Sequence, residues 1–224
     1  MSRAVKIDFV SDVVCPWCII GWLKFETVMA HFSGRLEFRV QWHPFELNPD
    51  MPVEGLNRKM YRSMKFGSWA RSQMLDAQTI AAAENDGITF RYDLMTTTPN
   101  TRLAHTLMIL ARRKHRGREV AEALFSAYFE QGKNIGDKAV LIELATAHGL
   151  EHEEVERYLS GDEGKAEVLA EEADAANTGL RSVPQFDIGG ELISGAQSVE
   201  RLEEALKGAI ERQLGCSNGA CTIG

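Results

Sequence analysis

Three features of the sequence predict an α/β fold carrying a large all-helical insertion. The opening reads strand–helix–strand, the long middle has helical periodicity, and strand character returns only near the end. Residues 5–10 alternate, with Val5, Ile7 and Phe9 against Lys6 and Asp8, as a half-buried strand does. After Asp12 the period changes: Ile19, Ile20, Leu23, Val28 and Met29 recur at helical spacing, and Gly34 closes that helix. Leu36, Phe38, Val40 and Trp42 then alternate strictly with Glu37, Arg39 and Gln41. A strand–helix–strand unit of this length winds right-handed, so its two strands are expected to be parallel.

Residues 55–179 are helical in pattern almost throughout. Pro99 and Asn100 mark one helix start, and Asp137 caps a helix whose apolar face is Val140, Leu141 and Leu144. That helix ends at His148-Gly149, where glycine suits a left-handed residue. Shorter helices are expected over residues 153–159 and 163–176. Residues 185–188 and 191–193 flank Gly189-Gly190, a good two-residue hairpin turn. Ser198 caps a last helix over residues 199–214, which Gly215 stops. The expected organisation is one α/β domain from residues 1–54 and 180–215, a helical insertion at 55–179, and a polar cysteine-bearing tail at 216–224.

Charge and composition narrow the function. Lys plus Arg number 25 against 32 Asp plus Glu, a net charge of −7, which is a poor balance for gripping a nucleic-acid backbone. No apolar run reaches the roughly 18 residues of a membrane span. Neither nucleic acid nor membrane is an expected partner. The first ten residues lack the charged start and apolar core of an export signal, so a cytoplasmic location with reduced thiols is expected. In that setting four cysteines, paired as Cys15/Cys18 and Cys216/Cys221, mean redox chemistry, metal binding or nothing at all.

Cys15-Pro16-Trp17-Cys18 falls where the first strand hands over to the first helix. A thiolate there faces unpaired backbone N–H groups and the positive end of the helix dipole, which lower its pKa. Pro16 suits the first turn, where its missing N–H costs nothing. Cys15 is the expected exposed nucleophile. Cys18, one turn in, is placed to attack the resulting mixed disulfide and release the partner. The bland alternative is a pair of small buried hydrophobes. The βα junction and the intervening proline favour redox chemistry.

Ser11-Asp12-Val13-Val14-Cys15-Pro16-Trp17-Cys18, followed by Gly21, resembles the DsbA-like thioredoxin superfamily, and most of all its FrnE branch. Further segments agree in order: Pro44-Phe45 with Leu47-Asn48-Pro49, Pro99-Asn100-Thr101 with Ala104-His105, Ser182-Val183-Pro184-Gln185-Phe186, and Ser194-Gly195-Ala196-Gln197. The resemblance runs from about residue 6 to residue 214. It implies a thioredoxin-like fold with the helical insertion, and thiol–disulfide exchange as the activity. It also implies that Val183-Pro184 is a cis peptide beside Cys15, with Val183 offering its backbone to substrate. Trp17, with no charge, implies a milder couple than histidine gives at that position in related oxidases. The expected substrates are protein or small thiols and disulfides. No cofactor or metal is expected, since the sulfurs carry the electrons, and glutathione is a possible co-substrate.

The second pair, Cys216-Ser217-Asn218-Gly219-Ala220-Cys221, has small or polar residues between its sulfurs and closes at low strain. It reads as an auxiliary shuttle to Cys15/Cys18, as an inert tail, or as half of a zinc site joining all four cysteines. A zinc-stabilised binding module is thus one rival reading. Another is a glutathione-dependent isomerase or transferase of the kappa-class and hydroxychromene-carboxylate isomerase type, whose members place Ser where this chain has Cys15. Elsewhere, Arg112-Arg113-Lys114-His115-Arg116 reads as a solvated helix end, and Gly149 separates His148 from His152. Met51, Met60, Met64 and Met74 read as core, with an adaptable groove as the alternative. His105 matches the family pattern with no chemistry of its own that the sequence reveals.

Overall fold

The computed structural model describes residues 3–214. The chain opens with β1 (Arg3–Ser11), α1 (Pro16–His31) and β2 (Leu36–Pro44). β3 (Leu56–Asn57), α2 (Arg58–Phe66), α3 (Trp69–Ala82) and β4 (Thr97–Thr98) follow. Next come α4 (Arg102–Arg113), α5 (Gly117–Phe129), α6 (Lys138–Ala147), α7 (His152–Ser160) and α8 (Glu163–Asn177). β5 (Gln185–Ile188), β6 (Glu191–Ser194) and α9 (Val199–Leu214) close the fold.

The main sheet has the order β2-β1-β5-β6. β1 and β2 are parallel, with Ile7 opposite Val40 and Phe9 opposite Trp42. β5 runs antiparallel to β1 and places Phe186 beside Phe9, and the Gly189-Gly190 turn returns the chain into β6. Both glycines of that turn have positive φ, 56° and 93°, which a primed hairpin turn requires. This is the thioredoxin-like architecture, with helices α2–α8 inserted between β2 and β5.

The stretch between β2 and β5 is not purely helical. Leu56 and Asn57 pair with Thr98 and Thr97 as a two-stranded ladder. Gly55 makes this possible: at φ 74° its Cα lies so close to the partner strand that a Cβ would fall 2.7 Å from the Thr98 carbonyl oxygen. The predicted caps are present. The Asp137 carboxylate accepts from the Ala139 N–H at 2.8 Å, Ser198 Oγ accepts from the Arg201 N–H at 3.3 Å, and Gly149 follows α6 at φ 87°.

The core joins sheet to insertion through aromatic rings. Phe9 stacks on Phe186 at 4.4 Å and meets Trp42 edge-on at 4.7 Å, and Trp42 lies 6.2 Å from Phe125 of α5. α1 packs against α9 on the α/β half, while α4 touches α5, α6, α7 and α8 and also β2. Of the four methionines read as core, only Met51 is buried; Met60, Met64 and Met74 are exposed. The amphipathic face of α2 turns its charged residues inward instead, where buried Arg58 pairs with Asp76 of α3 at 2.8 Å.

Candidate active site

β1 ends at Ser11, and the turn after it delivers Cys15 to the N-cap of α1 with an extended backbone, φ −89° and ψ 114°. The Cys15 N–H donates to the Asp12 carbonyl at 3.0 Å, and the Cys18 N–H donates to the Cys15 carbonyl at the same distance. Pro16 occupies the first helical turn. Both cysteines are free thiols. Trp17 is exposed between them.

The expectation of an exposed Cys15 is corrected: its residue is only 5% accessible. The turn that bonds it to Asp12 tucks it against the core that also holds Cys18, Ile19 and Ile20. Cys18 is fully buried. Burial pushes its thiol well above the ordinary range, and the hydrogen bond and charge of Cys15 push the same way, while a backbone hydrogen bond from Asp12 only partly opposes them.

The Val183–Pro184 peptide bond is cis, as the resemblance implies. Pro184 is buried and Val183 half-buried at the start of β5. The Pro184 carbonyl accepts from the Gly195 N–H at 2.8 Å, which ties this loop to the end of β6. On the other side Pro184 meets α1 at Gly21, where a Cβ would lie 3.3 Å from Pro184 Cγ. Glycine one turn past Cys18 is what lets the proline loop approach α1 so closely.

The sequence reading missed a group of ionisable residues at this turn. Asp12 is fully buried, and its carboxylate accepts from the Leu47 N–H at 2.8 Å and the Val14 N–H at 3.3 Å. His105, buried on α4, places Nε2 3.5 Å from Asp12 Oδ1. At that length the contact is not a formed hydrogen bond, and Nε2 has no hydrogen-bond partner among the described residues. Burial opposes the imidazolium, but Asp12, with Glu172 and Glu46 behind it, outweighs burial and raises the His105 pKa. The buried Glu46 carboxylate accepts from Arg102 Nε at 2.8 Å, and the Glu46 N–H donates to Glu172 at 2.6 Å. Burial and the nearby Glu46 charge raise the Glu172 pKa. A charged residue inside each of two apolar runs, Asp12 before Val13-Val14 and His105 before Thr106-Leu107-Met108, was the signal available.

Cys216 and Cys221, the expected auxiliary pair, lie outside the described residues, as does half of the zinc site that would join all four sulfurs. Among the described residues no three His, Cys, Asp or Glu side chains are grouped to hold a metal ion. No helix among the described residues is long and apolar enough to cross a membrane.

A curated Bacillus subtilis (strain 168) protein, the uncharacterised YwbO, is 29% identical over 208 residues, covering 90% of this chain and 96% of that one. The crystal structure of a probable DsbA oxidoreductase from Streptomyces coelicolor superposes with a TM-score of 0.83 at 28% identity, covering 97% of this chain and 93% of that chain. A cytosolic disulfide reductase from Pseudomonas aeruginosa, DsbM, solved with GSH, shares the fold at 17% identity with a TM-score of 0.64, over 94% of this chain and all of that one. The model of the DSBA-like thioredoxin domain matches residues 6–207, and the chain belongs to that family.

Proposed function

We propose that this protein is a dithiol–disulfide oxidoreductase whose reacting atoms are the sulfurs of Cys15 and Cys18. The observation that carries the reading is the placement of the pair: Cys15 at the N-cap of α1, Cys18 fully buried one turn later, and a cis-proline loop against the same helix at Gly21. In the reducing direction Cys15 thiolate attacks a substrate disulfide. A Cys15–substrate bond forms, the substrate S–S bond breaks, and one substrate thiolate leaves. Cys18 then attacks Cys15, the internal disulfide forms, and the second substrate thiol departs with the electron pair. Two electrons pass from the dithiol to the substrate, and oxidation is the same path reversed.

In this reading Val183-Pro184 positions the substrate chain and Trp17 borders it on the exposed side. Proteins or small thiols and disulfides are the substrates, and no metal or organic cofactor is required. Glutathione as co-substrate and a cytoplasmic setting are further parts of the proposal; the fold shared with a cytosolic disulfide reductase solved with GSH is consistent with both. Cys216/Cys221 serve as the auxiliary shuttle.

A resolving-cysteine variant tests this directly. In protein carrying Cys216→Ser and Cys221→Ser, Cys18→Ala is expected to accumulate a mixed disulfide on Cys15 when mixed with oxidised glutathione or a disulfide-bearing peptide, while Cys15→Ala traps nothing at Cys18. Peptide mass spectrometry after acid quench reads the adduct. Trapping at Cys18 in the Cys15→Ala protein, or exchange undiminished in both variants, contradicts the assignment.

A further inference from the structure

Strand β2 is the long edge of the main sheet. Among the described residues it pairs with β1 alone, over nine residues, while β6 on the opposite edge has four. Its peptide groups alternate between the two sides of the strand. Phe45, next in the chain, sends its N–H inward to the Ser11 carbonyl at 3.1 Å, whereas the Trp42 carbonyl faces outward and accepts from Arg112 at 3.3 Å. Phe38 and Val40 share the parity of Trp42, so they present their N–H and C=O groups at the edge.

Edges of this length are usually shielded by proline, a bulge or a covering element. β2 has no proline before Pro44 and no break in its register. Beside it lies an open groove of about 1040 Å³, floored by the half-buried Leu36, Phe38 and Val40 and walled by Met29 of α1 and Gly117 of α5. The guanidiniums on its rim are already held, Arg112 by Glu171, Arg118 by Glu26 and Arg39 by Glu37, so the groove is not built for an anion. An apolar floor beside outward peptide groups fits another strand.

Charge on the opposite face of β2 selects which strand. Glu37 and Arg39 are exposed there on either side of Phe38. A second β2, laid antiparallel about a two-fold axis centred on Phe38, sets Phe38 opposite Phe38, Leu36 opposite Val40, and each Glu37 opposite an Arg39. The next register on one side sets Glu37 opposite Glu37, and on the other Arg39 opposite Arg39. Like charges directly opposite destabilise a strand pair, and opposite charges support it.

We propose that this protein pairs with a second copy of itself through β2, antiparallel and centred on Phe38, joining two four-stranded sheets into one of eight strands. Each Phe38 N–H donates to the Phe38 carbonyl of the other copy, and each Val40 N–H donates to the other copy's Leu36 carbonyl. The apolar side chains of each β2 enter the groove of the other copy. The contact is self-complementary, so it closes at two copies. Phe38 lies opposite Val5, at the end of β1 remote from Cys15, and the pairing leaves both cysteine turns open. Nothing in it depends on the chemistry of Cys15 and Cys18.

Sedimentation equilibrium tests the pairing, using the full chain with Cys216→Ser and Cys221→Ser in a phosphine reductant so that no sulfur links two copies. The parent should reach twice the mass of the chain as concentration rises. Glu37→Arg and Arg39→Glu each set like charges opposite one another twice, and each should weaken association at least about tenfold. An equimolar mixture of these two variants should regain the parental association, because each then opposes the other's charges with the contrary sign. The double variant Glu37→Arg/Arg39→Glu should regain it too. A parent that stays monomeric at every concentration overturns the proposal. So does a dimer that neither single variant weakens, or one that both weaken and the mixture does not restore. A monomeric parent whose β2 amides gain hydrogen-exchange protection from an added extended peptide also overturns it, and gives the edge to a client strand.

Discussion

Trp17 is the more exposed of the two residues between Cys15 and Cys18, at 40%, and it brings no charge to that turn. A histidine there, when protonated, would favour the Cys15 thiolate and so the dithiol form. Trp17→His is expected to shift the equilibrium with glutathione several-fold toward the reduced pair, read by alkylation after quench; an unchanged equilibrium would place the control of potential elsewhere. The placement of Cys15 and Cys18 at a helix start was legible because its signals are local: four consecutive residues, a change of period and a proline. The cis peptide at Val183–Pro184 was legible only through resemblance, since proline taken alone favours trans. Asp12 and His105 were not, because their partnership is made by tertiary folding between a turn and a distant helix. The expected exposure of Cys15 failed for a related reason, since burial depends on what the loop packs against.

Among the elements, α8 is held to the sheet and to α4 by charge. His43 of β2 lies between two carboxylates, Asp8 at 2.9 Å and Glu171 of α8 at 3.1 Å, and Arg112 of α4 binds Glu171 from the other side. The run from Arg112 to Arg116 is therefore not simply a solvated helix end. Arg112 and Arg113 grip Glu163, Glu167 and Glu171, and Lys114 reaches Glu154 of α7 at 2.7 Å. The sequence showed the charges without their partners. Burial opposes the Glu171 carboxylate, yet His43 and Arg112 prevail and hold its pKa down to about 2. A folded-state pKa below the unfolded value means stability that is complete above the ordinary carboxylate range and is lost as pH falls toward 2. The His43 pKa is raised despite burial, so its contribution has the opposite sense: present in acid and lost as pH rises through the folded value. Glu171→Gln should cost about 1–2 kcal/mol at neutral pH after allowance for solvent screening. It should also flatten the loss of stability between roughly pH 5 and pH 2, where a carboxylate of this kind titrates. Urea denaturation across that range checks both, and an unflattened curve would show that the strap is ornamental. Element boundaries were otherwise readable where caps and turns are local, as at Asp137, Ser198 and the Gly189-Gly190 hairpin. The β3–β4 ladder was not, since two residues on each side are too short to carry a period.

At the scale of the molecule, the α/β half places Cys15 at a helix start, and α4 of the inserted helices brings His105 to Asp12 in the turn before it. The aromatic run from Phe186 through Phe9 and Trp42 to Phe125 makes one core of the two parts, and His105 carries the insertion as far as the redox turn. The fold class was visible in the order of periods along the chain, because a parallel pair of strands separated by a helix has few ways to pack. The account stands or falls on whether Cys15 and Cys18 exchange electrons reversibly. A titration against reduced and oxidised glutathione, with quenched alkylation read by peptide mass spectrometry, measures this for each cysteine separately. The account predicts that Cys15 and Cys18 lose and regain alkylation together across a defined ratio, through a Cys15–glutathione adduct, with mixed disulfides to Cys216 or Cys221 reporting the auxiliary shuttle. Thiols at Cys15 and Cys18 that stay unoxidised at every ratio, or that resist alkylation until a chelator is added, would contradict it.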